Sequence, residues 1–315
     1  MNNQNEIPIF FASDDNYIPC LAVAIYSLEK NSNKNNNYKL IILNSGMSQE
    51  NKAEIMEFEK ENVKIEFKDI SDIENNYRND FELRLRDYYS STIYYRLFIG
   101  TLFPEYHKAI YIDSDIILLD DIANLYNIDL EGNILGAIPD GVVHDSKELQ
   151  TYVEKNDGID ADKYFNSGVL LIDLDKYREE KIEEKFVKLL TKYNCDTVAP
   201  DQDYLNILCK NKVKYLPLSW DKMPDYCEKL DEKDIHLIHY NMFKKPWHYS
   251  DVEYSDVFWR YAKETKYFDT LQNALKTYTD EQKKEDAIKG EHMVIRANEI
   301  LSSNQKFTDI ENKNS

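Results

Sequence analysis

The sequence is poor in cysteine, short of basic charge and without a long apolar run. Only Cys20, Cys195, Cys209 and Cys227 occur in 315 residues. None form a C-x-x-C pair, so a zinc site of that type has no support, and four thiols in a chain this long make no disulfide framework. They read as free thiols of a reducing compartment, and the expected location is cytoplasmic. Lys and Arg number 39 against 58 Asp and Glu, a net charge of −19. That balance argues against a nucleic-acid partner, whose phosphates need a basic face. No stretch approaches the roughly 18 apolar residues of a membrane span. The opening MNNQNEIPIFFASDDNY lacks the basic start and long apolar centre of a signal peptide. No internal repeat is visible, and the NSNKNNN segment at 31–37 is a polar loop.

What is present is the composition of a soluble globular protein, 42% hydrophobic and 31% charged. Apolar runs at residues 7–11, 38–43, 63–67, 109–112, 134–138, 168–172, 212–216 and 235–239 predict strands. Several are nearly continuous, as expected of strands covered on both faces. Helical patterns lie between them. Ile18, Leu21, Ala22, Ile25 and Leu28 share one helix face. Ser48 reads as an N-cap, with Ala53, Met56 and Phe58 turned inward, and residues 177–193 read as another helix. This alternation predicts an α/β fold with a mostly parallel central sheet flanked by helices. It stops near residue 250, so residues 1–250 are expected to form one α/β domain and 251–315 a helical C-terminal extension with a frayed, polar end. From residue 276 onward seven basic residues face eight acidic ones, which gives no polybasic membrane anchor.

Three segments carry chemistry. After the apolar run 109–112 come Asp113, Ser114 and Asp115. Residues i and i+2 of an extended chain point the same way, so two carboxylates converge at a strand end. Their repulsion raises their pKa values, and a divalent cation relieves it. Oxygen ligands suit Mg²⁺ or Mn²⁺. By contrast, Asp120 and Asp121 read as solvated or capping residues. A second run ends at His239, followed by Lys244, Lys245, Pro246 and Trp247. An imidazole beside two carboxylates favours Mn²⁺, and the lysines bring positive charge for a phosphate. Third, Ala12 to Tyr17 follows the first strand and opens a helix. Asp14, Asn16 and Tyr17 there offer hydrogen bonds and a stacking face for a nucleobase, where an ordinary capping loop is the plain alternative.

Taken in order, FASDDNY (11–17), YYRL (94–97), YIDSD (111–115), FNSGVLLI (165–172), DQDYLN (201–206) and HYxxxKKPW (239–247) resemble glycosyltransferase family 8, which includes bacterial lipopolysaccharide galactosyl- and glucosyltransferases and glycogenin. The resemblance covers about residues 9–247. It implies the GT-A nucleotide-diphosphosugar transferase fold. It also implies retaining, Mn²⁺-dependent transfer of galactose or glucose from UDP-galactose or UDP-glucose to a saccharide or glycolipid acceptor, with any membrane contact peripheral. Position by position, Ala12, Asp14, Asn16 and Tyr17 would hold the uridine. Asp113, Asp115 and His239 would bind the metal, and Lys245 would meet the diphosphate. Arg96, Asn166, Asp201 and Gln202 would surround the donor hexose, and Asp140 would lie near the acceptor. One departure is Met242, where the family often has glycine three residues past the histidine, a glycine that lets backbone approach the phosphate. A second is the tail, which lacks the basic character of many lipopolysaccharide enzymes.

Two other readings compete. A haloacid-dehalogenase-type phosphatase also uses D-x-D at a strand end, but it wants the pair near the N-terminus and Thr or Val where Ile117 stands. A non-catalytic module that only holds a UDP-sugar is the other, although no site residue is visibly missing. The 24 tyrosines raise self-glucosylation as in glycogenin, against the plainer reading of core and interface side chains. The acidic charge is no obstacle to an anionic donor. A dication and a lysine dominate within a few Å, and remote charge is screened beyond roughly 8 Å.

Overall fold

The computed structural model describes residues 6–84, 91–193, 196–303 and 306–309. Cys195 and most of the C-terminal tail, for which free-thiol and frayed states are expected, lie outside them. Among the described residues the central sheet has seven strands: β1 (Glu6–Ala12), β2 (Asn37–Asn44), β3 (Val63–Asp69), β4 (Lys108–Ile112), β6 (Leu135–Pro139), β7 (Phe165–Asp173) and β8 (Val213–Tyr215). Their spatial order is β3-β2-β1-β4-β7-β6-β8. β3, β2, β1 and β4 are parallel, while β7 pairs antiparallel with both β4 and β6. β7 is thus the reversed strand of an otherwise parallel sheet. A separate ribbon pairs β5 (Ile116–Leu118) antiparallel with β9 (Leu237–His239).

The reversal of β7 positions the site. The carboxyl ends of β1, β4 and β6 lie along one edge of the sheet, and the amino end of β7 joins them there. The order also reverses at β1, whose neighbours β2 and β4 lie on opposite sides. Ligands of open α/β sheets bind at such a switch point.

The eight expected strands are all found, with shifted bounds. β7 begins three residues before its expected start, because Phe165, Asn166 and Ser167 continue the pairing into a polar stretch. The run at 235–239 yields only β9, which belongs to the ribbon and not to the main sheet. Its partner β5 is only three residues long, too short to show a period in the sequence.

Helix Ile18–Asn31 buries the expected Ile18, Leu21, Ala22, Ile25 and Leu28, and also Cys20, Val23, Ala24 and Ser27. It is covered nearly all round, since β5 and helix Ser255–Ala262 also pack against it. Ser48 caps helix Gln49–Met56 by accepting from the Asn51 amide. The inward residue there is Ile55; Ala53 and Met56 are exposed, because a two-turn helix turns so narrow a face to the core. The expected helix 177–193 is two helices, Leu174–Glu179 and Ile182–Lys192, broken at Lys181 with φ 54°. Helices Ser255–Ala262, Phe268–Thr277 and Asp280–Ser302 follow the last strand. Among the described residues no helix is long and apolar enough to cross a membrane.

Candidate active site

A cavity of about 450 Å³ opens at the carboxyl edge of the sheet. Its wall includes Ala12, Asp14, Asn16, Tyr17, Arg96, Asp113, Asp115, Asp140, Asn166, Asp201, Gln202, His239 and Lys245. These are all thirteen candidate residues of the sequence, brought together from seven separated segments. Lys244 is not among them. Its ammonium turns to Asp225 and Asp251 at 3.1 and 3.3 Å, so a single lysine of the K-K-P-W turn serves the cavity.

Asp113 and Asp115 flank a bend after β4 rather than continuing a strand. Ser114 between them turns away and donates to the Ala12 carbonyl at 3.1 Å, which leaves both carboxylates facing His239. Nε2 of His239 lies 3.3 Å from Asp115 Oδ1 and 3.8 Å from Asp113 Oδ2. One ligand atom from each of the three residues falls within 4.8 Å of the others. The ring is fixed from behind, with Nδ1 2.9 Å from a carboxylate oxygen of fully buried Asp221. A carboxylate on the far nitrogen is the usual support of a metal-binding histidine. Burial works against a charged ring, but Asp221 and Asp115 carry the His239 pKa up to about 10. Asp115 departs from expectation. Burial raises its pKa, but Lys245 and His239 overcome that and hold it below the ordinary carboxylate range.

Gly168 makes this approach of side chains feasible. A Cβ on it would stand 2.3 Å from His239 Cε1 and 2.7 Å from Asp113 Oδ2. Glycine is therefore required there by space and not by backbone angle. Met242 shows the converse. It adopts φ 60°, the left-handed region that glycine enters freely and other residues enter at a cost. The chain keeps the glycine-like turn while carrying a side chain.

Arg96 is buried and fully engaged. It donates to Asp113 Oδ1 at 2.8 Å, to the Ser167 carbonyl at 2.6 Å and to the Ile93 carbonyl at 3.1 Å, and it lies 3.2 Å from Asp201 Oδ2. Tyr111 donates to the same oxygen of Asp113 at 2.8 Å. Gln202 accepts from the Ser167 amide at 2.9 Å and donates to Asp140 Oδ2 at 3.0 Å. Asn166 donates to that same Asp140 oxygen at 2.9 Å and accepts from the Gly168 amide at 2.8 Å. Asp140 also caps the short helix that follows it, through the Val143 amide. Asp14 accepts from the Asn16 and Tyr17 amides at 2.9 and 3.2 Å, so it is a capping residue as well as a wall residue. Tyr17 stands edge-on to Trp247, ring centres 6.4 Å apart. Lys245 Nζ contacts Asp115 Oδ2 and donates to the Tyr240 carbonyl.

Six aspartates line the cavity, counting Asp203, against the two permanent cations Arg96 and Lys245. A site so negative repels a polyanion unless a dication joins it. The O,O,N donor set, with its ring already oriented, fits such an ion. Sequence reasoning missed Asp221, which lies in an S-W-D-K stretch without any recognisable pattern. It also passed over Tyr111 and Ser167, which sit inside motifs already singled out.

Comparison with known proteins agrees with this geometry. The family model described as "Glycosyl transferase family 8" matches residues 8–251. A Haemophilus influenzae protein named as a glycosyltransferase is 34% identical over 248 residues, 76% of this chain and 72% of its own. The lipopolysaccharide 1,2-glucosyltransferase of Escherichia coli K12 is 30% identical over 182 residues, 53% of each chain. Among solved structures, LgtC in complex with donor and acceptor sugar analogs is 26% identical with a TM-score of 0.64, over 82% of this chain and 96% of that one. The WbbM bifunctional glycosyltransferase, 24% identical, shares the fold with a TM-score of 0.74, over 87% of this chain and 52% of that one.

Proposed function

Because the chain belongs to glycosyl transferase family 8, we propose that it moves a hexose, galactose or glucose, from a UDP-sugar to a saccharide acceptor with retention of configuration. The observation that carries this reading is the meeting of Asp113, Asp115 and His239 in one cavity at the sheet's switch point. These three would hold Mn²⁺, which supplies Lewis-acid stabilisation of the charge that grows on the departing diphosphate.

The protein's own groups do the rest. Asp14, Asn16 and Tyr17 hold the uridine at the end of β1, with Trp247 behind the tyrosine ring. Lys245 brings a permanent positive charge to the diphosphate. Arg96 acts chiefly through others: it fixes Asp113 and Asp201 in place while its guanidinium stays covered. Asp201 and Gln202 position the hexose, and Asp140 stands where polar and acceptor sides meet. Gln202 is a neutral amide with both ends engaged, so it is a poor nucleophile, which favours front-face attack. The acceptor hydroxyl then bonds to C1 as the C1–phosphate oxygen bond breaks, and its proton passes to the leaving UDP oxygen.

Incubation with labelled UDP-glucose and UDP-galactose, Mn²⁺ and a panel of saccharides tests the reading. Transfer of label to one saccharide is expected. Binding of UDP-sugar with neither transfer nor hydrolysis would leave a binding module, and a glycosyl adduct trapped on Asp201 would replace front-face attack with double displacement.

A further inference from the structure

The cavity has two unlike walls. One carries the carboxylates, amides and cations described above. The other is apolar, formed by Val142, Val143, Leu149, Met242, Phe243 and Met293. Val143, Leu149 and Met293 are buried within a separate hydrophobic cluster, with Val142, Met242 and Phe243 packed partly covered against it. Helix Asp280–Ser302 supplies its backing. Met293, Ala297 and Ile300 fall at i, i+4 and i+7 on the face that enters this cluster. Gly290, three residues before Met293, stands beneath Phe243, whose nearest ring carbon is 3.9 Å from where a Cβ would be. That helix lies beyond the family match at residues 8–251, so part of this wall comes from a segment outside that match.

Asp140 is the hinge between the walls. Its Oδ2 receives Asn166 and Gln202 on the polar side, and the helix it caps carries Val142 and Val143. A free sugar lying across this junction would press hydroxyls against groups that cannot bond them, which is costly for a buried polar atom. A molecule that satisfies both walls has a saccharide head and an apolar substituent beside it. We propose that the acceptor is a glycoside whose apolar aglycone occupies the Val142–Phe243–Met293 wall while its sugar faces Asp140. The proposal rests on the transferase reading for the word acceptor, but its binding preference is measurable without turnover.

The test titrates the full chain, with UDP and MnCl₂ and again without them, using methyl and benzyl glycosides of glucose, galactose and N-acetylglucosamine. For at least one sugar the benzyl glycoside is expected to bind about 10-fold tighter than its methyl counterpart. Met293→Gln and Val142→Gln should each bring that ratio toward one, and Met293→Leu should keep it. Because the ratio is taken on a single preparation, a loss of folded protein cancels. A ratio near one for every sugar, or one untouched by both glutamine variants, overturns the proposal. Failure of UDP to bind in the presence of Mn²⁺ would instead count against the donor site, and the ratio measured without nucleotide would still decide the aglycone.

Discussion

Asp113 and Asp115 are worth more to the ligand than to the fold. They sit in a crowded negative site, and their neighbours Lys245 and Arg96 are also held by backbone carbonyls. Asp113→Asn or Asp115→Asn is therefore expected to cut transfer at saturating donor by at least about 100-fold. The melting temperature should stay within a few degrees of the parent. Activity assays beside circular dichroism check both halves, and retained activity in either variant would remove the site. Asp221 acts one step further back. Its carboxylate holds the His239 ring, so Asp221→Asn should weaken Mn²⁺ binding by about 10–100-fold without touching a ligand. A Mn²⁺ titration followed by electron paramagnetic resonance reads this directly. Equal affinity in parent and variant would mean the ring needs no such support.

At the scale of elements, β7 and the last helix matter most. β7 runs against its neighbours, so its amino end, with Asn166, Ser167 and Gly168, reaches the same edge as the carboxyl ends of β4 and β6. The helix Asp280–Ser302 begins with a capping box: Thr279 accepts from the Gln282 amide, and Gln282 accepts from the Thr279 amide. Thr279→Ala removes one of these bonds and should cost about 1 kcal/mol. Hydrogen exchange is expected to show faster opening of the first turns of this helix, with β1 and β2 unaffected. Uniform acceleration across the sheet would show that the helix does not open separately.

Over the whole molecule, pH acts through a buried acidic pair as well as through surface charge. Asp157 and Asp203 are both fully buried. Burial raises the pKa of each, and for Asp157 the charge of Asp203 adds to it, while Asp203 is partly relieved by Tyr164 and Tyr152. The folded protein thus binds a proton that the unfolded chain gives up at the ordinary carboxylate pKa, near 4. The stability this confers is complete below that value and is lost as pH rises through the pair's raised range. Asp157→Asn removes the titration of Asp157 and leaves that of Asp203, which burial raises by itself. The parent should therefore lose stability relative to the variant between about pH 4 and pH 7, as read from urea unfolding at several pH values. A constant difference across that range would show that the pair does not share a retained proton.

The sequence by itself determined every strand but the three-residue β5, and the candidate residues that carry a motif. Apolar runs force β1 to β4 into a covered sheet whatever their neighbours, and paired aspartates at a strand end announce a cation by local chemistry alone. Lys181 and Ile55 mark where local pattern misled, since a left-handed break and a two-turn helix leave little periodic trace. Only the tertiary structure decided that β7 is reversed, that Lys244 leaves the site, that Asp221 stands behind His239 and that Met293 lines the cavity. The reversal of β7 and the place of Met293 depend on the docking of segments far apart in the chain, whereas the partners of His239 and Lys244 are near in sequence but are joined by loops that carry no periodic pattern.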